Sequence, residues 1–194
     1  MSIFDKLQSN DLVRMIDQEL EMLRRCQSLD CRHAIRQVES CPKDPDAWFE
    51  YGLLSVQEGL RYEQLSIEKA HQTYLQSNPD TDPDAEIELE VNIPELVEFH
   101  TRAIECFDKV LALDPSYYGV QCQRGIAYAN IHQYQLAEQA FLQALKDDDE
   151  DAAAAYNLAL TYRDMGNEAK AAEYFGLAQR LNPDDDLFDP TIEH

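Results

Sequence analysis

The C-terminal half of the chain repeats after 34 residues, and this internal repeat constrains the fold more than any other feature of the sequence. The shift aligns five pairs of similar residues: Tyr128 with Tyr162, Phe141 with Phe175, Gly125 with Ala159, Ala137 with Ala171, and Ala144 with Ala178. One further step upstream places Ala103 and Phe107 in the same positions as Ala137 and Phe141. We therefore predict one supersecondary unit that recurs along the chain and stacks on its neighbours.

Each unit is predicted to be a pair of antiparallel helices, A and B. Small residues such as Gly125 and Ala137 let two helices approach closely, while rings such as Phe141 fill the space between successive pairs. The predicted A helices span 118–131 and 152–165, and the B helices span 134–147 and 168–181. One pair cannot bury its apolar face alone, so the pattern predicts an all-α solenoid whose concave surface is lined mainly by A helices.

These spacings and residue types resemble the tetratricopeptide repeat, in which helix A carries a small residue and Tyr, helix B carries Ala and Phe, and a proline ends the unit. Pro115 and Pro183 end two units here, and Asp149 replaces the proline of the middle unit. The resemblance covers residues 45–58 and 95–183. It implies an α-solenoid of about three helix-turn-helix repeats, in a family that includes scaffolds, adaptors, cochaperones and secretion chaperones.

The first unit is predicted to be interrupted between its two helices. Trp48 and Gly52 match the helix A pattern, but Gln64 and Glu68 stand where the small and aromatic residues of helix B are due. The residues that fit lie 39 positions further on: Ala103 and Phe107. We therefore predict an acidic insertion near residues 60–93.

The insertion has two parts of different pattern. Residues 61–77 have helical periodicity, either as a separate helix or as a continuation of the A helix through Gly59. Residues 79–93 alternate apolar residues with acids and contain helix-breaking prolines, which is typical of extended chain. This second part is either a solvated acidic loop, or an arm that pairs with a partner or lies in the protein's own groove.

The two ends of the chain flank a solenoid that spans residues 44–183. Residues 1–43 are predicted to form helices near 10–26 and 31–40, which either cap the apolar end of the solenoid or form a dimerisation or docking element. Residues 184–194 form an acidic tail.

Charge limits the class of partner. The chain has 16 Lys and Arg against 38 Asp and Glu, a formal net charge of -22, and residues 1–43 hold seven of each sign, so the whole excess follows residue 43. Phosphate backbones and anionic head groups repel such a surface. We therefore expect no nucleic-acid and no membrane partner, and instead another protein with a basic or apolar binding segment.

The sequence also favours a reducing compartment. Neither a signal-like apolar run at the start nor a stretch of eighteen apolar residues occurs. The five cysteines are odd in number and irregularly spaced, unlike a disulfide framework. These features predict a cytoplasmic protein, and its oligomeric state stays open.

Neither metal nor catalytic chemistry is indicated. The cysteines and His33 between residues 26 and 41 lack the paired spacing of zinc ligands. Asp80, Asp82 and Asp84 begin like a calcium loop, but Val91 replaces its final glutamate. Glycine-rich phosphate loops and nucleophile motifs are absent from the sequence, so we predict no enzyme, no cofactor and no metal site.

The inward-facing positions of the A helices are the candidate binding residues. Val56 and Cys122 fall on the same face, but the residues predicted to contact a partner are ten others: Phe49, Glu50, Leu53, Gln123, Ile126, Asn130, Tyr156, Asn157, Leu160 and Arg163. This mixture is apolar with few charges. It predicts a groove that holds an apolar or basic segment of a partner protein.

Family members that hold the acidic tails of heat-shock chaperones use a clamp of two Lys, two Asn and one Arg. The corresponding positions here are Phe49, Leu53, Gln123, Ala153 and Asn157. The clamp is therefore absent, and an acidic peptide would be repelled. We predict a scaffold or adaptor, with a secretion-type or assembly chaperone that keeps a client soluble as the alternative.

Overall fold

The computed structural model describes residues 9–24, 28–82 and 93–183, and every regular element within these ranges is an α-helix. In chain order the helices are α1 (Ser9–Arg24), α2 (Leu29–Ser40), α3 (Pro45–Ser77), α4 (Glu95–Leu113), α5 (Val120–Asn130), α6 (Tyr134–Asp147), α7 (Ala152–Asp164) and α8 (Glu168–Leu181). The prediction of an all-α solenoid is confirmed, and the four repeat helices predicted in the C-terminal half start and end within two residues of α5 to α8.

Local chemistry explains these boundaries. Helix α5 begins two residues later than predicted because Gly119, its N-cap, has a φ of 76°, a conformation that glycine adopts without strain. The Asp151 carboxylate caps α7 by accepting a hydrogen bond of 2.8 Å from the Ala154 amide. The Asn167 side chain caps α8 in the same way.

The helix pairs pack through one small residue against one ring. A Cβ atom at Gly125 would lie 2.6 Å from Cε1 of Phe141, and a Cβ atom at Gly52 would lie 2.5 Å from Cε1 of Phe107. Only a residue without a side chain lets these helices come so close. The pairs α3 with α4 and α5 with α6 therefore use the same contact, although 54 residues separate Gly52 from Phe107 and 15 separate Gly125 from Phe141.

Helix α3 is much longer than the other A helices, with 33 residues against 11 in α5 and 13 in α7. It continues through Gly59 without a break, so residues 61–77 are a continuation of the A helix and not a separate one. Gly59 is buried against Phe99 and His100 of α4. The segment 83–92, which contains most of the predicted acid-apolar alternation, lies outside the described residues.

Both N-terminal helices pack on α3. Helix α2 buries Cys31, Ala34 and Val38 and lies along the first half of α3, where the Ser28 hydroxyl donates to the buried Glu58 carboxylate at 2.5 Å. Helix α1 lies further along, where Asp17 pairs with Lys69 at 2.5 Å. The predicted tail, residues 184–194, and residues 1–8 lie outside the described part of the chain.

Two apolar clusters run through the repeats. One joins α3, α4 and α5 through Val56, Phe107, Val110 and Val120, and the other joins α5 to α8 through Phe141, Leu158 and Tyr162. No helix among the described residues is both long and apolar enough to cross a lipid bilayer.

Candidate functional site

Three apolar residues occupy equivalent positions on the A helices. Leu53, Ile126 and Leu160 each follow the small residue that faces helix B, namely Gly52, Gly125 and Ala159. One residue corresponds to a rotation of about 100° around the helix, so these side chains do not face helix B directly. Leu53 and Ile126 still pack against the apolar clusters of the repeats. All three are half-buried, and α5 contacts both α3 and α7. The three helices therefore carry a recurring, partly exposed apolar position.

Not every residue on the predicted face is accessible. Val56 and Cys122 are buried, with 6% and 5% of their surface exposed. Phe49 is half-buried, and its ring packs against Phe107 and Tyr117 with centroids 5.9 and 5.0 Å away. Part of the A-helix face therefore stabilises the core, as the close spacing of α3, α4 and α5 requires.

The amide side chains predicted on this face belong to Gln123 and Asn130 of α5 and Asn157 of α7, and all three are half-buried. The Asn157 Nδ2 atom donates to the Ala153 carbonyl at 2.8 Å. This bond fixes the orientation of the amide and leaves its Oδ1 atom as an acceptor.

The remaining candidates on α7 are aromatic and basic. Tyr156 packs edge-to-face on Phe175 of α8, with ring centroids 5.6 Å apart. Arg163 is exposed and lies 3.9 Å from the Asp164 carboxylate. Glu50, the only acid among the ten candidates, is exposed on α3. The chemistry of the face is therefore mostly apolar and amide, with one base on α7 and one acid on α3.

Two tyrosines in the loop between α4 and α5 make hydrogen bonds to acids outside that loop. The Tyr117 hydroxyl donates to Asp46 at 2.7 Å, and partial burial, followed by this hydrogen bond, raises the pKa of Tyr117 to about 12. The Tyr118 hydroxyl donates to Asp148 at 3.1 Å, and this hydrogen bond raises the Tyr118 pKa. Sequence reasoning missed both bonds because they join residues 71 and 30 positions apart.

The buried histidine of α4, His100, was also not predicted from the sequence. His100 of α4 is fully buried, and neither of its ring nitrogens has a hydrogen-bond partner among the described residues. Burial lowers the pKa of His100 from 6.5 to about 4. The repeat pattern offered one signal, since His100 falls three residues before Ala103, on the face of α4 that packs on α3.

Two of the cysteines, Cys106 and Cys122, are buried in the repeats. Burial raises the pKa of both Cys106 and Cys122 to about 12, which keeps these thiols protonated and weakly nucleophilic. Within 9–24, 28–82 and 93–183, no cluster of three or more His, Cys, Asp or Glu side chains is arranged to hold a metal ion. Cys26 and residues 84–91 of the calcium-like sequence lie outside these ranges.

The comparison with protein families decides the identity of the repeats. A family model described as tetratricopeptide repeat matches residues 122–186, which contain α6, α7 and α8 and most of α5. Residues 122–186 carry tetratricopeptide repeats. The tetratricopeptide fold is that of a protein-interaction module, which agrees with the predicted class of function. No curated protein sequence matches the chain significantly.

Three solved structures are similar to this chain at low sequence identity. A double mutant of MamA RS-1 aligns with 92% of this chain and 79% of its own, with 20% identity and a TM-score of 0.54. TTC0263, a thermophilic TPR protein of Thermus thermophilus, aligns with 93% of this chain and 95% of its own at 20% identity, with a TM-score of 0.47. The TPR domain of Arabidopsis OM64 covers 47% of this chain and 75% of its own, with 20% identity and a TM-score of 0.45. The likeness to MamA concerns the fold alone.

Proposed function

We propose that this tetratricopeptide protein is a non-catalytic scaffold or adaptor that holds an apolar or basic segment of another protein against its A helices. The observation that carries the proposal is the recurring position occupied by Leu53, Ile126 and Leu160. A half-exposed apolar residue at the same place in three stacked helices provides a continuous surface for a ligand, whereas one isolated exposed residue would need no explanation.

The net charge of the protein limits which apolar segments it can bind. The net charge of -22 repels an acidic segment and attracts a basic one over the Debye length, which is about 8 Å at physiological ionic strength. The run Asp147 to Asp151, between α6 and α7, adds five acids at the edge of the repeats. We therefore expect the bound segment to alternate apolar residues with Lys or Arg.

The amide groups supply the polar part of recognition. An extended ligand exposes backbone N–H and C=O groups that must be paired when the ligand is bound. The Oδ1 acceptor of Asn157 is suited to a ligand N–H group, and the amides of Gln123 and Asn130 provide both donors and acceptors. Arg163 is suited to a carboxylate or a carbonyl at one end of the ligand.

The test is affinity capture from the source cell with matched variants, followed by mass spectrometry. We expect Leu160→Ser and Asn157→Ala to capture a specific protein at least about fivefold less well than the parent, since each removes one contact of about 1 kcal/mol. The control is Leu142→Ser on α6, a B-helix leucine that is 39% exposed, and it should capture the same protein as the parent. Equal loss in all three variants, or loss in none, would contradict the proposal.

The captured protein also separates the scaffold from the chaperone alternative. A client that precipitates when expressed alone and stays in solution when expressed with this protein supports the chaperone. A partner that folds and stays in solution on its own supports the scaffold.

A further inference from the structure

A stripe of apolar residues runs along α3 beyond the repeat. Leu53 is followed at intervals of seven residues by Leu60, Ile67 and Tyr74, and residues seven apart lie on the same face of a helix. The last three are large and exposed, with 47%, 47% and 37% of their surface accessible. We call Leu53, Leu60, Ile67 and Tyr74 the α3 stripe.

Leu53 packs on the apolar cluster that joins α3, α4 and α5, whereas the other three residues of the stripe are exposed. Gly52 contacts Phe107 and Gly59 contacts His100, so α3 and α4 run antiparallel. Each step of one residue forward along α3 corresponds to one residue backward along α4. By this register the first residue of α4, Glu95, is level with residue 64, and the end of α3 extends past it. Helix α1 packs mainly on another side of α3, through Tyr62 and Lys69. Tyr74 lies at the border of that side, beside a cavity that Leu20 of α1 also lines. Within the described part of the chain, the exposed apolar face of α3 therefore runs from Leu60 to Tyr74, about 21 Å.

The charges beside the stripe have one sign. Glu50 precedes Leu53 by three positions, and Glu63 follows Leu60 by three, so both carboxylates border the stripe. The two basic residues of α3 are Arg61 and Lys69, and they pair with Glu19 and Asp17 of α1. The sequence has no Lys or Arg from residue 70 to residue 101, where it has eight Asp and Glu.

We infer that the α3 stripe docks an amphipathic helix of the partner protein, with apolar residues at seven-residue spacing and Lys or Arg beside them. This inference rests on the proposed function and extends it: the stripe begins at Leu53, a residue of the proposed groove, and the docked helix is a second element of the partner, beside the extended segment bound at α5 and α7. Seven-residue spacing is the repeat by which two helices interlock over several turns, whereas an extended segment would match a spacing of two.

A second copy of this chain fits the stripe less well. Two α3 helices would bring Glu50 and Glu63 of both copies together within a pair of molecules that each carry a charge of -22. Like charges at neighbouring positions are destabilising, so the face favours a basic partner over itself.

A designed peptide tests the inference directly. The probe is a fluorescein-labelled peptide of three heptads with Leu at the apolar positions and Lys beside them, titrated with the full-length protein while fluorescence anisotropy is measured. We expect saturable binding that weakens about tenfold in the double variant Leu60→Gln/Ile67→Gln, which removes apolar contact without changing charge. The double variant Leu136→Gln/Leu142→Gln, at comparably exposed positions of α6, should bind like the parent. A peptide with Glu in place of Lys should not bind.

Other outcomes contradict the inference in distinguishable ways. If Leu160→Ser weakens peptide binding and the α3 variant does not, the proposed groove stands and the α3 stripe is not the docking site. If neither variant changes binding, the peptide binds through charge alone and the inference fails. A dimer in analytical ultracentrifugation that Leu60→Gln/Ile67→Gln dissociates would assign the stripe to a second copy. If replacing Ile87, Leu89 and Val91 by Asn raises the peptide affinity tenfold, the occupant of the α3 stripe is the segment of this chain that contains those three residues.

Discussion

Phe141→Ala is expected to lower the free energy of unfolding by about 3 to 5 kcal/mol, the range measured for buried aromatic residues. Phe141 has no exposed surface, and its ring fills the space left by the missing side chain of Gly125. Its removal leaves a cavity between α5 and α6 in the centre of the apolar cluster that joins α5 to α8. Urea denaturation followed by circular dichroism at 222 nm measures the change.

The next residue along α6 provides the control. Leu142 is 39% exposed, so Leu142→Ala should cost less than about 1.5 kcal/mol, well below the cost at Phe141. Equal losses at the two positions would contradict the packing of α5 on α6. They would also remove the basis for treating Ile126, the neighbour of Gly125, as a surface residue.

Acidification is expected to destabilise the protein through His100. The pKa of this buried side chain is about 4 in the folded state and 6.5 for an exposed histidine, so the unfolded chain binds the proton more readily. The stability that neutral His100 provides is complete above pH 6.5 and is lost as the pH falls from about 6.5 to 4. The loss over this window amounts to about 3 kcal/mol, at 1.36 kcal/mol for each unit of pKa difference. Urea titrations at intervals of half a pH unit measure it.

His100→Leu separates this effect from the titration of carboxylates. Both ring nitrogens of His100 lack a partner among the described residues, so an apolar side chain of similar size should be tolerated at pH 7. The variant should also lose most of the pH dependence between 6.5 and 5. His33→Leu, on the exposed face of α2, should keep the pH dependence of the parent. An unchanged pH profile in His100→Leu would place the acid-sensitive group elsewhere.

The repeat helices were predictable because their signals are local. Gly125 and Phe141 are 16 positions apart, and the same pair recurs in the next unit as Ala159 and Phe175, so one register accounts for both. Phe175 is only half-buried, since α8 is the last helix of the described chain and nothing described packs beyond it. The 34-residue periodicity does not show whether a ring lies at the end of the stack, where it is partly exposed, or between two helix pairs, where it is buried.

The length of α3 was not predictable from the pattern. Gly59 is compatible both with a helix end and with a close helix crossing, and only the contact with Phe99 and His100 selects the second. The hydrogen bond between Ser28 and Glu58 was not predictable from the sequence for a related reason. It depends on α2 lying along α3, an arrangement that helical periodicity alone does not specify.

The exposure of the candidate residues was predictable in outline only. The position after each small residue of helix A could be read from the repeat, and Leu53, Ile126 and Leu160 are all half-buried there. The burial of Val56 and Cys122 depends instead on how closely α3, α4 and α5 approach each other. Sequence periodicity indicates the direction of a side chain, and the distance to the next helix decides whether that side chain is accessible.

Site-specific photocrosslinking tests the central claim, that a partner protein is held against the A helices, most directly. Benzoylphenylalanine replaces Leu160 in one sample and Leu142, on helix B, in another, and each protein is irradiated in the source cell. The account predicts a crosslinked partner band from position 160 that is absent or at least about fivefold weaker from position 142, because only the first side chain lies on the proposed binding face. A partner that crosslinks from position 142 and not from position 160 would contradict it.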